Sequence, residues 1–509
     1  MRTFQHYPAS VVPRNLFFNA VLGNDRRSVG DPTEGSLFLV MYAFSSGRPG
    51  VGLARRFLTP LVTVSIGLAV LTTSDLARSQ TFDEALAISY ETNPTLLAGR
   101  ASLRSTDEGV PRARSGWRPT VSSSFAGTYI TGDSESAGVS TSSNYWSDSE
   151  TITISQSLYA GNRTELDIDR AELQIQSTRA SLFQTEQEVL LNGATAYVDV
   201  IRAKSVLGLQ VTNLRRLEKQ LEATRDRFRV GEVTRTDVAQ AESRVARAKA
   251  DLTQAEGDLV AARVVFEREI GQIPGKLSQP LSPPGLPTSR EEAVEVAVRD
   301  NFQLIQAKFN EQVDIDTVDI VAGELLPSLN ASASAGRSFD GSGSETETYS
   351  ASVTLSLTVP IYQGGAVSAR IRGAKENANR ARITVESTRR AIVDSAARFF
   401  ENWQTTEARI GSLKAEVASA EIALEGVEQE ATVGARTVLD VLDAEQELLG
   451  AQVRLVVAQR NSLVAAYQLL STVGRMTASN LGLPVEIYDY DRHYRVTRDR
   501  YWGTDLPAQ

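Results

Sequence analysis

Cysteine is absent from this 509-residue chain, and histidine occurs only at His6 and His493. Without thiols the chain has no disulfide framework, no thiolate nucleophile and no cysteine-ligated metal. So few imidazoles cannot build a multi-histidine zinc site, and His493 lies in a segment without a nucleophile-elbow motif. The net charge of -9 supplies no basic surface for nucleic acid. We therefore expect no cofactor, no metal and no nucleic-acid partner, and enzymatic chemistry is left mainly to carboxylates.

The N-terminal region contains a pattern typical of a secretory signal. Arg55 and Arg56 precede an apolar run over residues 57 to 71, and small residues follow at Ala77 and Ser79. A charged segment, a short apolar segment and a small-residue cleavage site predict removal of the leader near Ser79.

The alternative is a retained membrane anchor, although the apolar run is shorter than the roughly 20 residues of a typical span. Residues 1 to 79 are thus interpreted as an N-terminal extension and signal peptide. Met41 would give a leader of ordinary length, which suggests that the true start lies there. We expect the mature protein to begin near Gln80.

A long internal repeat is the strongest signal in the chain. Residues 158–161, Leu-Tyr-Ala-Gly, correspond to residues 361–364, Ile-Tyr-Gln-Gly, at an offset of 203 residues (361 minus 158). The same offset relates Val230-Gly231 to Val433-Gly434, Asp237-Val238 to Asp440-Val441, and Ile270-Gly271 to Val473-Gly474. Upstream, Asp83 corresponds to Glu291 and Pro119 to Pro327, at an offset of 208 (327 minus 119). The repeat predicts two equivalent halves, residues 80–287 and 288–485, followed by a tail over 486–509.

Each half contains one predicted strand hairpin, over residues 119–159 and 327–360. Between Tyr349 and Val359 apolar residues alternate strictly with serine and threonine. This pattern puts apolar groups on one face of a strand and hydroxyls on the other. Eleven residues extend about 36 Å, enough to cross an outer membrane at the usual tilt. The alternative is a soluble sheet with one wet face.

A membrane interpretation of the strands requires oligomerisation. Four strands cannot close a barrel, and open sheet edges are not tolerated in lipid. Two copies would supply eight strands and three copies twelve, and both numbers occur among membrane barrels.

A long proline-free helix follows each strand hairpin, over residues 162 to 229 and 365 to 430. Apolar residues recur at seven-residue spacing in both, as expected of a coiled-coil seam; they are Val200, Leu207, Leu214, Leu221 and Phe228, and then Trp403, Ile410, Val417 and Leu424. Each helix ends at a Val-Gly turn, and a second helix returns, with Thr236 a plausible N-cap. The predicted helical hairpins cover 162–271 and 365–474.

Three segments are predicted to lack regular structure. The Gly- and Ser-rich residues 132 to 149 and residues 339 to 347 are expected to be loops. The tail from Tyr488 to Gln509 has no apolar period, so we expect it to be attached to the surface or disordered.

Together these features resemble the TolC family of outer-membrane efflux and secretion channels over nearly all of residues 81 to 485. The motifs that carry the resemblance are Leu-Tyr-x-Gly at 158–161, Val-Pro-Ile-Tyr-Gln-Gly-Gly at 359–365, Phe-x-Val-Gly-x-x-Thr-x-Thr-Asp-Val at 228–238, Val-Gly-Ala-Arg-Thr-Val-Leu-Asp-Val-Leu-Asp-Ala at 433–444, and a Leu-Gly-Leu ending at Leu483.

The resemblance implies an α+β membrane protein of the outer membrane. Its homotrimer would form a 12-stranded β-barrel in outer-membrane lipid, with four strands per chain, continued by a long α-helical barrel in the periplasm. A periplasmic adaptor (membrane fusion protein) and an inner-membrane pump or ABC transporter would be its partners. The implied function is a passive exit duct for efflux or type I secretion, with no catalytic residue.

The resemblance also assigns candidate site residues at the periplasmic tip. It implies a pore constriction at Asp440 and Asp443, which lie three residues apart and therefore share a helix face. The implied closed-state latch consists of Arg436, Thr236 and Asp237, and the adaptor-docking turns of Val230, Gly231, Val433, Gly434 and Thr437. A tyrosine of the family's latch is replaced here by Ala431, so this link is missing.

Other interpretations remain open at this stage. Asp440 and Asp443 could be ordinary surface acids near a helix start, where negative charge is favourable, or a paired-carboxylate hydrolase site, although no sugar cleft is indicated. A periplasmic coiled-coil adaptor or scaffold is the alternative function. The cargo, whether drugs, siderophores, polysaccharide or a secreted protein, is not encoded in any motif.

Overall fold

The computed structural model describes residues 80–342 and 346–506. The predicted extension and signal peptide, residues 1 to 79, lie outside the described residues. Within the described part, no helix combines the length and apolar character needed to cross a membrane.

Helices and strands follow the same order in each half of the described chain, except that the single helix α7 of the second half corresponds to α2 and α3 of the first. The first half contains α1 (Phe82–Thr92), α2 (Pro94–Asp107), α3 (Gly109–Arg114), β1 (Thr120–Ser136), β2 (Val139–Tyr159), α4 (Arg163–Arg229) and α5 (Arg235–Ile270). The second half contains α6 (Arg290–Asp300), α7 (Phe302–Ala322), β3 (Ser328–Asp340), β4 (Thr346–Thr358), α8 (Ala366–Thr432) and α9 (Val438–Thr472), before α10 (Arg492–Thr497) in the tail. Both α4 and α8 have 67 residues, which corresponds to about 100 Å.

The four strands form one antiparallel sheet in the order β1-β2-β3-β4. Its register aligns the apolar positions across the strands, so that Val121 faces Ile154, Ile154 faces Ala333 and Ala333 faces Val353. Neighbouring residues put hydroxyls on the other face, where the Oγ atoms of Ser334 and Ser352 are 2.9 Å apart. One face of the sheet is therefore mainly apolar and the other hydroxylated, as the alternation predicts. Toward the hairpin ends the apolar face also carries Glu150, Arg337 and Glu347, and Arg337 pairs with Glu347 at 2.6 Å. Within the described residues, β1 and β4 are the edge strands.

The prediction of a loop over residues 132 to 149 is wrong. Gly132 pairs with Ser143 in the ladder between β1 and β2, and only Ala137 and Gly138 separate the strands. Both turn residues have positive φ, 53° and 77°, as a two-residue hairpin with right-handed twist requires. Glycine and serine do not prevent pairing here because the adjacent strand satisfies their backbone groups. The second predicted loop is also shorter than expected, since Phe339 pairs with Glu347.

The backbone segment that follows β2 and the segment that precedes β3 approach each other closely. Gly161 has a φ of 66°, and a Cβ atom built on it would lie 2.3 Å from the carbonyl oxygen of Gly323. A Cβ atom on Gly323 would lie 2.5 Å from the carbonyl oxygen of Gly161. In the first copy of the repeated motif, Gly161 therefore allows two chain segments to cross in contact, whereas a Cβ atom on its counterpart Gly364 would meet nothing within 4 Å in this chain.

The main helical core forms where α1, α4, α5 and α9 meet. The ring of Phe82 packs edge-on against Tyr197, with centroids 5.3 Å apart, and lies 5.1 Å from Tyr467. Tyr197 is fully buried, and its hydroxyl donates to the carbonyl oxygen of Ser278 at 2.8 Å. Both halves of the chain thus contribute to one core.

The described part of the tail is ordered and docked, which excludes the disordered alternative there. His493 Nδ1 lies 2.9 Å from the buried Asp107 Oδ2, and the Arg179 guanidinium pairs with Asp491 at 2.5 Å while lying over the ring of Tyr490. These aromatic and ionic contacts attach the tail to α2 and α4 without an apolar period. Sequence periodicity could not detect such contacts.

Candidate functional site at the helix turns

The two helical hairpins end in turns of the same geometry. Gly231 and Gly434 both have a φ of 82°, the left-handed conformation that closes helices. In the first turn the N–H of Glu232 donates to the carbonyl oxygen of Arg227 at 2.9 Å. In the second turn the N–H of Ala435 donates to the carbonyl oxygen of Glu430 at 2.9 Å. A residue with a β-carbon would be strained at either glycine.

A capping box begins each returning helix. The cap of α5 is Thr234, not the predicted Thr236, and its backbone N–H donates to Asp237 Oδ2 at 2.8 Å. At α9 the backbone N–H and hydroxyl of Thr437 donate to Asp440 Oδ2 at 3.0 and 2.8 Å. Thr234 is the cap because reciprocal bonding needs an acidic residue three positions after it. The hydrogen bonds from the Thr437 N–H and then its hydroxyl lower the pKa of Asp440.

Asp443 connects the two helical hairpins of the chain. Its Oδ1 accepts a hydrogen bond from Arg244 Nη2 at 2.6 Å, which joins α9 to α5. Sequence analysis missed Arg244. The available signal was its position seven residues after Asp237, which puts both side chains on one side of α5. The two aspartates proposed for the constriction are therefore held differently, Asp440 by its own helix start and Asp443 by a neighbouring helix.

The residues assigned to the latch do not meet within this chain. Arg436 Nε lies 2.7 Å from Glu430 Oε2 at the end of α8, and this hydrogen bond raises the pKa of Arg436. Asp237 is engaged by Thr234, while Thr236 lies exposed in the first turn of α5. Arg436 is therefore paired with its own helical hairpin and not with Thr236 or Asp237.

A small apolar cluster supports the tip. Its buried members come from α4, α5 and α9, and they are Leu217, Leu221, Ala241, Val245, Ala248, Val438 and Leu442. Val438 and Leu442 lie two residues before and after Asp440 on the same helix, so the cluster fixes the helix segment that carries this aspartate. By contrast, Val230 and Val433 at the turn apices are exposed.

A buried carboxyl group lies next to this cluster. Glu445 on α9 is only 6% exposed, and its Oε2 atom has no hydrogen-bond partner among the described residues. Burial, with the charge of Glu428 on α8 as a second cause, raises its pKa to about 7, while Arg216 on α4 opposes the shift. The burial of Glu445 could have been predicted from the sequence, because Glu445 lies seven residues after Val438 and so occupies an apolar position of the coiled-coil seam.

Glu445→Gln is expected to remove a pH dependence of the tip. The folded-state pKa is raised above the ordinary 4.5, so the packing is strongest below pH 4.5 and weakens as pH rises through 7. At pH 8 the variant should protect tip amides from hydrogen exchange by on the order of 2 kcal/mol more than the parent. At pH 4.5 the two should exchange alike. Glu447→Gln, on the exposed face, is the control, and equal protection of Glu445→Gln and parent at pH 8 would contradict the assignment.

Within residues 80–342 and 346–506, no group of three or more His, Asp or Glu side chains is arranged to hold a metal ion. The tip instead carries acidic side chains at the starts of α5 and α9. The sheet has an apolar face, and its strands lead into long helical hairpins that end in these charged turns. This combination defines an outer-membrane channel with a helical periplasmic part.

The family model described as "Outer membrane efflux protein" matches residues 86–272 and 293–475, and the chain belongs to this family. It is 32% identical over 438 residues to outer membrane efflux protein BepC of Brucella suis biovar 1 (strain 1330), covering 86% of this chain and 94% of BepC. It is 27% identical over 439 residues to outer membrane protein TolC of Escherichia coli (strain K12), covering 83% and 87%.

A solved structure, the Campylobacter jejuni CmeC outer membrane channel, shares the fold with a TM-score of 0.69 at 14% identity, covering 82% of this chain and 89% of CmeC. The predicted resemblance, outer-membrane location and exit-duct function are confirmed, in preference to a periplasmic adaptor or scaffold. Members of the family are channel proteins.

Proposed function

We propose that three copies of this chain form one passive exit duct through the outer membrane. The observation that carries the proposal is the four-stranded sheet, which has an apolar face and two edge strands, β1 and β4. Lipid does not tolerate open edges, so β4 of one copy must pair with β1 of the next. Three copies supply twelve strands, and their 67-residue helices α4 and α8 continue the duct into the periplasm.

We also propose that the two halves of the chain arose by duplication, so that β4 and β1 are the counterparts of β2 and β3. The pairing of β4 with β1 of the next copy should then have the register of β2 with β3. Ser155 of β2 pairs with Ser332 of β3. Moving Ser155 forward by 203 residues gives Thr358 in β4, and moving Ser332 back by 208 residues gives Ser124 in β1. Thr358 of one copy is therefore expected to lie opposite Ser124 of the next.

The double variant Ser124→Cys with Thr358→Cys tests this arrangement. The parent has no cysteine, so oxidation can form only the designed disulfide. Paired residues on neighbouring strands have Cα atoms about 5 Å apart, within disulfide range. We expect a covalently closed species of three-chain mass on a denaturing gel.

The control for the cross-link is Phe125→Cys with Thr358→Cys. Phe125 is one residue further along β1 and faces the other side of the sheet, so it should not cross-link. A closed species of two chains, or equal cross-linking of both pairs, would contradict the proposed trimer and register.

The periplasmic tip is proposed to be both the gate and the docking site. Threefold symmetry would gather six carboxylates from Asp440 and Asp443 into a cation-selective constriction. In the closed duct, Arg436 of one copy would exchange Glu430 for Thr236 and Asp237 of a neighbour.

An adaptor (membrane fusion protein) would dock on the turns that contain Val230, Gly231, Val433, Gly434 and Thr437, where the two valines are exposed. An inner-membrane pump or ABC transporter would supply the energy.

A further inference from the structure

The end of the C-terminal tail lies beside the start of the sheet. Arg118, two residues before β1, donates from Nη1 to the carbonyl oxygen of Arg500 at 2.7 Å. The Arg118 guanidinium also lies over the ring of Tyr501, 3.9 Å from its centroid. Asp499 pairs with Arg114 at the end of α3. The tail is therefore fixed at the level where the strands meet the helical part.

The tail has large side chains that are exposed to solvent at this level. Tyr501 is 77% exposed and Trp502 is 89% exposed, and Leu506 is exposed as well. Arg500 holds this turn, since its Nε donates to the carbonyl oxygen of Trp502 at 3.1 Å and its Nη1 to that of Asp505 at 2.5 Å. The exposure of the two aromatic rings is thus a feature of an ordered turn.

Other apolar and aromatic groups are exposed at the same end of the sheet. Ile361 and Tyr362 follow the end of β4 and are exposed in the single chain, where the edge of β4 is unpaired. The end of β4 and the start of β1 lie at one end of the sheet, because alternate strands run antiparallel. Tyrosine and tryptophan concentrate where a protein crosses the boundary between lipid and water. The aromatic groups of the tail therefore lie near the end of the sheet at which a lipid–water boundary is expected.

The charged side chains near the tail are of both signs. Exposed arginines lie on α3, on α10 and just after α10, and they are Arg112, Arg492, Arg495 and Arg498. Arg495 is paired with Asp489 at 2.6 Å, so the other three are the arginines left to meet a headgroup. Arginine beside tryptophan and tyrosine suits an interface that combines anionic headgroups with the upper acyl chains. The chain has no cysteine to carry a lipid, so any attachment must come from side chains.

We propose that Tyr501, Trp502 and Leu506 insert into the headgroup layer of the periplasmic leaflet of the outer membrane. The tail then acts as a peripheral anchor that fixes the height of the helical part relative to the bilayer. This inference rests on the proposal that the sheet spans the membrane, and it adds a phospholipid-binding site outside the duct.

Tryptophan fluorescence of the full-length protein tests the anchor. The chain has four tryptophans, Trp117, Trp146, Trp403 and Trp502. Three variants, each with one of Trp146, Trp403 or Trp502 and phenylalanine at the other three positions, are reconstituted in phosphatidylethanolamine–phosphatidylglycerol vesicles. Brominated acyl chains quench tryptophans in contact with lipid, and aqueous iodide quenches those in water.

We expect Trp502 to lose most of its emission to brominated lipid and to show a blue shift relative to the same variant in the absence of lipid. Trp146 in β2 tests the sheet separately, and Trp403 in α8 should not respond to brominated lipid. Quenching of Trp502 by iodide but not by lipid would overturn the anchor, as would protection from both, which would indicate cover by a neighbouring copy. Failure of Trp146 to respond would instead contradict the membrane-spanning sheet.

Discussion

Val353→Arg is expected to impair insertion and assembly of the channel by about 2–4 kcal/mol, because it puts a cation on the apolar side of β4, which is proposed to face lipid. Val353 lies near the middle of β4, is 86% exposed and pairs with Ala333 on the apolar face. An arginine there cannot reach water at either end of the strand easily. The yield of trimer that resists dissociation in detergent on a gel without heating measures the effect.

Thr354→Arg is the matched control on the next residue of the same strand. Thr354 pairs with Ser332 on the hydroxyl face, which would line water in the proposed barrel. Both variants introduce an arginine, at adjacent positions of β4. They therefore differ only in the face of the sheet that carries the charge. Equal trimer yields for the two variants would contradict the assignment of the apolar face to lipid.

Replacing both Asp440 and Asp443 by asparagine is expected to reduce cation selectivity by roughly an order of magnitude in planar-bilayer recordings, because a ring of carboxylates repels anions. Asparagine is preferred to alanine at Asp440, since its side-chain oxygen can still accept from Thr437 and preserve the cap. The pKa of Asp440 is lowered, chiefly by the Thr437 N–H, so the carboxylate remains charged into acidic solution. Selectivity of the parent should therefore persist below neutral pH.

Arg244→Gln should act in the opposite direction. It removes the cation that pairs with Asp443 at 2.6 Å and leaves the carboxylate uncompensated, so cation selectivity should rise. Arg436→Ser should raise conductance without changing selectivity, since it alters the proposed latch and not the acid ring. If the double asparagine variant and Arg244→Gln both retain the parent's selectivity, Asp440 and Asp443 are surface charges at a helix start.

Regular structure was predictable from the sequence wherever a short period repeats. The alternation from Tyr349 to Val359 predicts one apolar strand face, and β4 pairs with β3 in that register. The seven-residue spacing predicts the long helices, which the structure has at Arg163–Arg229 and Ala366–Thr432. Both patterns depend on residues a few positions apart on one element. Such geometry is nearly independent of what the element packs against.

The errors and omissions concern contacts that no short sequence period reveals. Residues 132 to 149 have a loop-like composition, yet pairing with the adjacent strand makes most of them β-structure. The tail has no period, but docks through Arg179 and Asp107 on other helices. Arg244 and Asp443 are almost two hundred residues apart, and no local pattern connects them.

The sequence by itself determined the order of elements, the apolar face of the strands, the two Val-Gly turns and the family to which the chain belongs. These properties depend on local periodicity and on motifs that can be read in order along the chain. Only the tertiary structure decided that Asp443 pairs with Arg244, and that Glu445 lies buried with no partner for its Oε2 atom among the described residues. Burial and pairing of a charge depend on which helices pack together, and that packing brings together residues from opposite halves of the chain.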